Sequence, residues 1–162
     1  MGVYKNFFNA SSLVNSPSQA NTNQTVTIST TDTSDWIIDK NTGGLLCVNS
    51  GTWNILSQYQ VCGINTVSSS ANAQIDGWFI VNGQVVPQSD ANSTTSNSGD
   101  RNVLAISLTS TFKTGDLVQF GIRSSSTNQT LNAQICNTTA PSGIGCPALI
   151  VTGNKVPSCC KR

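Results

Sequence analysis

The sequence contains no histidine, and only 9% of its 162 residues are charged. Without histidine, neither a Ser-His nor a Cys-His nucleophile pair can form. The seven acidic residues are all aspartates, and none stands in a known metal-loop spacing. Asp116, which follows Gly115, is expected to cap a turn. We therefore predict a protein that is not an enzyme and that carries no catalytic residue, metal ion or other cofactor.

Clusters of basic residues and long apolar runs are also missing. The net charge is +1 and the basic residues are scattered, whereas phosphate-backbone binding needs clustered lysine and arginine. No apolar run approaches the roughly 18 residues that indicate a membrane-spanning helix. The first residues lack the apolar segment of a secretory signal. We therefore expect no nucleic-acid partner and no membrane span.

Uncharged polar residues supply most of the polarity of this chain. Serine, threonine, asparagine and glutamine suit turns and exposed strand faces better than helices. Three consecutive segments alternate apolar and polar residues with the period of two that is typical of a strand. Their apolar positions are Ile75, Phe79 and Val81, then Leu104, Ile106 and Leu108, then Val118, Phe120 and Ile122. Asn82-Gly83 ends the first segment and indicates a hairpin, because both turn residues need positive φ.

A longer strand is predicted over Thr52–Ile64. Its apolar face has Trp53, Ile55, Tyr59 and Val61, and its polar face has Asn54, Gln58 and Gln60. A strand with one packed and one hydrated face is typical of a sandwich. The chain contains roughly nine or ten short strands separated by polar turns. We therefore predict an all-β fold, an antiparallel β-sandwich with jelly-roll topology.

Cysteine is present six times, as Cys47, Cys62, Cys136, Cys146, Cys159 and Cys160. Because no pair has the Cys-x-x-Cys spacing and histidine is absent, a zinc site is not expected. Disulfides suit a β chain so rich in serine and threonine. The preferred pairings are Cys47–Cys62 and Cys136–Cys146, with Cys159 and Cys160 available for bonds between chains. Free thiols in a reducing compartment are the alternative.

The two ends of the chain differ from its middle. Residues 1–22 are rich in asparagine and serine and contain the aromatic residues Tyr4, Phe7 and Phe8. We predict an extended arm whose aromatic side chains dock on a neighbouring molecule, with a disordered tail as the alternative. The jelly-roll domain would then cover residues 23–156, and residues 157–162 would form a cysteine-containing C-terminal tail.

Several motifs follow one another in a recognisable order over residues 44–156. They are GTWNILSQYQV at Gly51–Val61, a strand ending in Asn82-Gly83, VLAISL, TGDLVQF at Thr114–Phe120, and a final PALIV. This set resembles the tumour necrosis factor-like superfamily, which includes the globular head of the first complement component and the C-terminal domains of collagen-like spore-filament glycoproteins. Blocks similar to IDGWFIVNGQVVP occur in structural proteins of phages and large DNA viruses.

The resemblance implies TNF-like jelly-roll topology and a homotrimer about an axis lined by apolar and aromatic side chains. The chain has no collagen-like Gly-x-y stalk, and its cysteines and two tails are additional to the family pattern. Receptor binding is therefore not carried over.

Trp78 is predicted to face away from Phe79 and Val81, so we expect it to contact a neighbouring subunit or to lie partly covered on the surface. These features together predict a structural component of a virion. It would be a minor capsid or surface protein that contacts other capsid or surface proteins. The alternative is a carbohydrate- or receptor-binding head of a fibre or spore-surface filament, with the loops Ser89–Asp100 and Ser124–Thr130 at its binding end.

Overall fold

The computed structural model of the protein describes residues 7–12, 21–32, 34–63, 73–96, 101–125, 129–130 and 148–157. This part of the chain contains β-strands and turns and no helix. The strands are β1 (Phe7–Ser12), β2 (Gln24–Val26), β3 (Thr30–Thr31), β4 (Trp36–Ile38), β5 (Leu45–Cys47), β6 (Gly51–Gly63), β7 (Ala73–Val81), β8 (Gln84–Val85), β9 (Ala91–Thr95), β10 (Arg101–Phe112), β11 (Leu117–Ser124), β12 (Gln129–Thr130) and β13 (Leu149–Lys155).

The strands form two antiparallel sheets that pack against each other around one core. The first sheet has the order β10-β6-β13-β1-β3, with β12 also paired to β6. The second sheet has the order β4-β5-β11-β7-β8, with β2 paired to β11 and β9 paired to β7. The predicted all-β class and antiparallel sandwich are therefore confirmed.

Chain connections repeatedly pass from one sheet to the other. The connections between β5 and β6, between β6 and β7, between β9 and β10, and between β10 and β11 all cross the sandwich. Each long strand therefore pairs with strands distant in sequence. The longest ladder joins β6 to β10 over twelve residue pairs, from Gly51–Phe112 to Cys62–Arg101.

The alternation read from the sequence determines which side chains enter the core. Trp53, Ile55, Tyr59 and Val61 on β6 are all buried, as predicted for its apolar face. At one end of the core Trp53 meets Trp36 edge to face, with ring centroids 5.7 Å apart. Such aromatic pairs add stabilisation beyond the area they bury.

Tyr59 connects the two sheets through the middle of the core. Its hydroxyl donates to the carbonyl oxygen of Gly121 at 3.2 Å and lies 3.5 Å from that of Trp78, both in the second sheet. The sheets approach closely at Gly77 of β7. A Cβ atom there would lie 3.1 Å from side-chain atoms of Tyr59, Leu104 and Ile106.

The predicted N-terminal arm includes a strand of the first sheet. β1 pairs along its whole length with β13, from Phe7 opposite Asn154 to Ser12 opposite Leu149. It also pairs with β3 on its other side. Phe7–Ser12 thus makes its strand pairings within the chain, and the predicted docking of this region on a neighbouring molecule stays a prediction. Polar residues obscured this strand because serine and asparagine favour turns as well as exposed strand positions.

The polar loop predicted over Ser89–Asp100 also contains a strand, β9, which pairs antiparallel with β7. The burial of β9 alternates, but its inward positions have small side chains, so no apolar pattern marks it. Ser89 anchors the start of this segment: its hydroxyl accepts from the backbone N–H of Phe79 at 3.0 Å and donates to the carbonyl oxygen of Val86 at 2.8 Å.

Candidate assembly surface

Trp78 lies on the face of β7 that points away from the core, as predicted. Phe79, its neighbour in sequence, is fully buried among core residues. The Trp78 indole lies over Gly121 of β11, where an added Cβ atom would come within 2.2 Å of indole atoms Cε2 and Nε1. Only 9% of Trp78 is exposed. The absence of a side chain at Gly121 therefore creates the space that this tryptophan occupies.

Other apolar side chains share this outward side of the second sheet. The strand register places Ile37, Leu46 and Leu117 side by side on β4, β5 and β11. A second row joins Ile80 of β7 to Val85 of β8. We refer to these residues as the apolar outer face: Ile37, Leu46, Trp78, Ile80, Val85 and Leu117.

The apolar outer face is most exposed at the two edges of its sheet. Ile37 is 44% exposed and Val85 is 59% exposed. The members between these edges, Leu46, Ile80 and Leu117, are half-buried. Among the described residues, only two other large hydrophobic side chains are exposed, Val103 and Val156. Half of the exposed large apolar side chains thus belong to one face of one sheet.

An ion pair bounds the apolar outer face beyond Trp78. Asp76 accepts from the Arg123 guanidinium at 2.9 Å on the neighbouring strand. The Gln74 side chain also donates to the Asp76 carboxylate, at 2.6 Å. Asp76 is therefore held by neighbouring side chains on its own face of the sheet.

The outward side of the first sheet has a different composition. Cross-strand pairs there join uncharged polar residues, such as Thr52 with Thr111 and Asn54 with Thr109. The Thr52 and Thr111 hydroxyls are 2.8 Å apart, and Thr109 donates to the Asn54 side chain at 3.3 Å. These groups are exposed and can bond to water equally well, so this face needs no partner.

Cys47 is a buried free thiol on the inner side of β5. It lies opposite Trp36, whose ring meets Trp53 near the start of β6, whereas Cys62 lies near the other end of that strand. A disulfide requires Cα atoms within about 7 Å. The predicted Cys47–Cys62 bond is therefore not formed.

Burial, with a smaller contribution from Asp116, raises the pKa of the Cys47 thiol to about 11. The thiol consequently remains protonated and unreactive at neutral pH. The pairings predicted for Cys136, Cys146, Cys159 and Cys160 lie outside the described residues and stay predictions.

Asp116 caps a turn, as the sequence indicated. Its carboxylate accepts from the backbone N–H of Lys113 at 2.7 Å and from the Asn82 amide at 2.9 Å. The bond from Lys113, followed by that from Asn82, holds the pKa of Asp116 below its usual value. The same contacts fasten the Asn82-Gly83 turn to the turn before β11.

The remaining predicted contact residues fall largely outside the described side chains. Tyr4 is outside the described residues, and only the backbones of Phe7 and Phe8 are described. In the part of the chain that the structure covers, no group of three or more metal-ligating side chains comes together. No helix within those ranges is long and apolar enough to cross a membrane.

No protein-family model matches this chain, and a search of curated proteins finds no similar sequence. The tumour necrosis factor-like resemblance stays a prediction from the motifs.

The sequence analysis predicted the outward position of Trp78 but did not predict the other five residues of the apolar outer face. The signal was present in the unbroken apolar runs Trp36-Ile37-Ile38 and Leu45-Leu46. A strand with apolar residues in succession has apolar side chains on both sides of its sheet.

Proposed function

We propose that this chain is a non-enzymatic structural protein of a virion, a minor capsid or surface component whose copies associate through the apolar outer face. The observation that carries the proposal is the presence of two apolar rows on the outside of the second sheet. Most antiparallel sheets with one solvated side have polar residues there. Gln119 lies opposite Ile80 on the same side, but apolar side chains grouped on one face of a folded domain are typical of a contact site.

The apolar outer face is suited to contact between identical copies. Its two rows contain no charged residue. About a two-fold axis each patch meets its own copy, and at a three-fold axis identical residues also meet, so a charged residue there risks facing a like charge. An uncharged apolar patch avoids this repulsion and gains the free energy of removing apolar area from water.

The jelly-roll topology and the virion setting rest on the family resemblance. The connections that cross repeatedly between the two sheets support a jelly roll, in which two sheets are built from interleaved Greek keys. Blocks similar to Ile75–Pro87 in structural proteins of phages and large DNA viruses support the virion assignment. The homotrimer is a further expectation from the same resemblance.

Sedimentation velocity over a range of protein concentrations tests this assembly. The double variant I37K/V85K places two charges on exposed positions of the apolar outer face, where they should not disturb folding. Its association constant should fall at least tenfold relative to wild type, because each lysine must be desolvated in the contact. The mass of the wild-type complex counts the copies.

V103K is the matched control, because Val103 is 54% exposed on the outward side of the first sheet. It should associate as wild type does. A wild-type chain that remains monomeric throughout, or equal losses in V103K and I37K/V85K, would contradict the proposed contact surface.

The carbohydrate- or receptor-binding alternative finds less support. All the aromatic residues whose side chains are described are buried or nearly so, and stacking on sugar rings needs an exposed aromatic face. The predicted binding loop Ser89–Asp100 is partly a paired strand. Saturable binding of the purified chain to a glycan array would favour this alternative.

A further inference from the structure

The Asn82-Gly83 turn is exposed and has an unusual backbone. Asn82 has φ of 51° and Gly83 has φ of 78°, so both residues lie in the left-handed region that a tight hairpin turn requires. An added Cβ on Gly83 would meet no atom within 4 Å. Both residues are exposed, and no neighbouring atom crowds the position where a side chain of residue 83 would begin.

Both polar atoms of the Asn82 side chain are in use. Nδ2 donates to Oδ1 of Asp116 at 2.9 Å, and Oδ1 accepts from the backbone N–H of Leu117 at 2.9 Å. The Asn82 backbone N–H donates to the Leu117 carbonyl oxygen, also at 2.9 Å. We refer to these three hydrogen bonds as the turn clamp, since they join the end of β7 to the start of β11.

We propose that Asn82 is a site of spontaneous deamidation and that the turn clamp both slows this reaction and is broken by it. The backbone nitrogen of Gly83, on losing its proton, attacks Cγ of Asn82. The Cγ–Nδ2 bond breaks and ammonia leaves, giving a cyclic imide. Water then opens the ring at either carbonyl, leaving aspartate or isoaspartate at position 82. The net change is addition of one water and loss of one ammonia, with no oxidation or reduction.

The turn clamp opposes the first step because it fixes the amide. Cγ must rotate towards the Gly83 nitrogen before the ring can close, and this rotation removes the bonds to Asp116 and Leu117. Glycine at position 83 otherwise favours the attack, because no side chain obstructs it. The reaction should therefore be slow in the folded chain and faster wherever the clamp is weakened.

The product cannot rebuild the turn clamp. Conversion replaces the Nδ2 donor with a carboxylate oxygen, which would then face Oδ1 of Asp116 at hydrogen-bond distance with no proton between them. Like charges at that separation repel each other. Lys113 is a nearby cation, and its backbone N–H already donates to the other carboxylate oxygen of Asp116, Oδ2. Deamidation should thus separate the two turns.

Peptide mapping by mass spectrometry tests the first half of the proposal. Wild type and D116A are incubated at mildly alkaline pH below their melting temperatures, alongside wild type denatured in urea. Conversion at Asn82 should be several times faster in D116A and in denatured chains than in folded wild type. Should D116A fail to fold, the comparison of folded with urea-denatured wild type keeps the proposal testable. Equal rates in all samples, or no conversion at Asn82 in the denatured chain, would overturn the proposal.

Asn49 is the internal control for the rate. Its side-chain amide also donates to an aspartate, Asp35, but serine follows it rather than glycine. It should convert more slowly than Asn82 in the denatured chain. Faster conversion at Asn49 would contradict the role given to Gly83.

Thermal melting of designed variants tests the second half. N82D imitates the aspartate product and should melt several degrees below wild type. The exchange N82D/D116N puts one amide and one carboxylate back in the clamp with their places reversed, so it should recover most of the loss. An N82D chain that melts as wild type does, or an exchange variant no better than N82D, would show that the turn clamp does not depend on this pair.

Discussion

The two outward sides of the sandwich are built from the same charge-poor sequence but differ in what they expose. The first sheet exposes threonine and asparagine, paired across β6 and β10. The second exposes Ile37 and Val85 at its edges and holds a tryptophan between them. Hydroxyl and amide groups remain hydrated without a partner, whereas apolar side chains gain free energy when they are covered.

This difference teaches that low charge alone does not identify a contact surface. Both faces carry few charges, but the first exposes one large apolar side chain, Val103, among polar cross-strand pairs, whereas the second exposes Ile37 and Val85 beside further half-buried apolar side chains. A surface rich in serine, threonine and asparagine can stay hydrated without a partner. Such a surface covers the outward side of the first sheet, which leaves the outward side of the second sheet for assembly.

The largest effect should come from filling the space beneath Trp78. G121A introduces a Cβ atom 2.2 Å from the indole, so the ring must move outwards. We expect a loss of about 1–3 kcal/mol in the free energy of unfolding, as is typical of overpacking. Urea unfolding measures the loss, and a red shift in tryptophan fluorescence reports the exposure of Trp78.

The control for G121A is the same substitution made in a W78A variant. With the indole removed, the same substitution should cost little, so the two changes should not be additive. Full additivity would mean that Trp78 is not packed on Gly121.

A smaller effect is expected from Y59F. The variant leaves the Gly121 carbonyl without its donor from the first sheet, 3.2 Å away. Removal of one buried hydrogen bond should cost about 1 kcal/mol. Chemical denaturation at neutral pH measures this loss, and an unchanged stability would show that the hydroxyl does not hold the two sheets together.

The free energy of unfolding of Y59F should also depend on alkaline pH differently from that of wild type. Burial raises the pKa of the Tyr59 hydroxyl, so the folded chain keeps a proton that the unfolded chain releases near pH ~10. The contribution of neutral Tyr59 is complete below that pH and is lost as the pH rises further. The advantage of wild type over Y59F should therefore shrink above pH ~10. If the stability advantage of wild type over Y59F instead grows at alkaline pH, the Tyr59 hydroxyl is not buried as described.

The smallest effect is expected on the outward side of the first sheet. T111A removes an exposed hydroxyl that lies 2.8 Å from that of Thr52. Water replaces this partner, so the free energy of unfolding should change by at most about 0.5 kcal/mol. Thermal or urea unfolding provides the measurement. A loss well above 1 kcal/mol would show that this face is also covered and would remove the contrast between the two sides.

The sequence predicts the core of this fold well, because alternation assigns each residue of a long strand to one side. Trp53, Ile55 and Tyr59 were placed correctly on this basis alone. The turn at Asn82-Gly83 was equally clear, since few residues other than asparagine and glycine adopt its backbone angles.

The strands and contacts that were missed share a physical cause. β9 and the second half of β1, residues 9–12, have small and mostly polar residues, whose local preferences favour turns, and pairing with β7 and β13 makes them strands. The Cys47–Cys62 pairing was wrong because β5 and β6, although consecutive in sequence, lie in opposite sheets, and the two cysteines are not neighbours in space. Such relationships depend on long-range topology, which local periodicity does not contain.

Gly77 has a consequence for the shape of any assembly built from this chain. With side-chain atoms of Tyr59, Leu104 and Ile106 only 3.1 Å from where its Cβ would lie, the missing methyl group sets the thickness of the sandwich at that point. A larger residue would act as a wedge and tilt one layer relative to the other. If copies associate through one layer as proposed, they would then meet at an altered angle, so an interior position would affect the geometry of their contact.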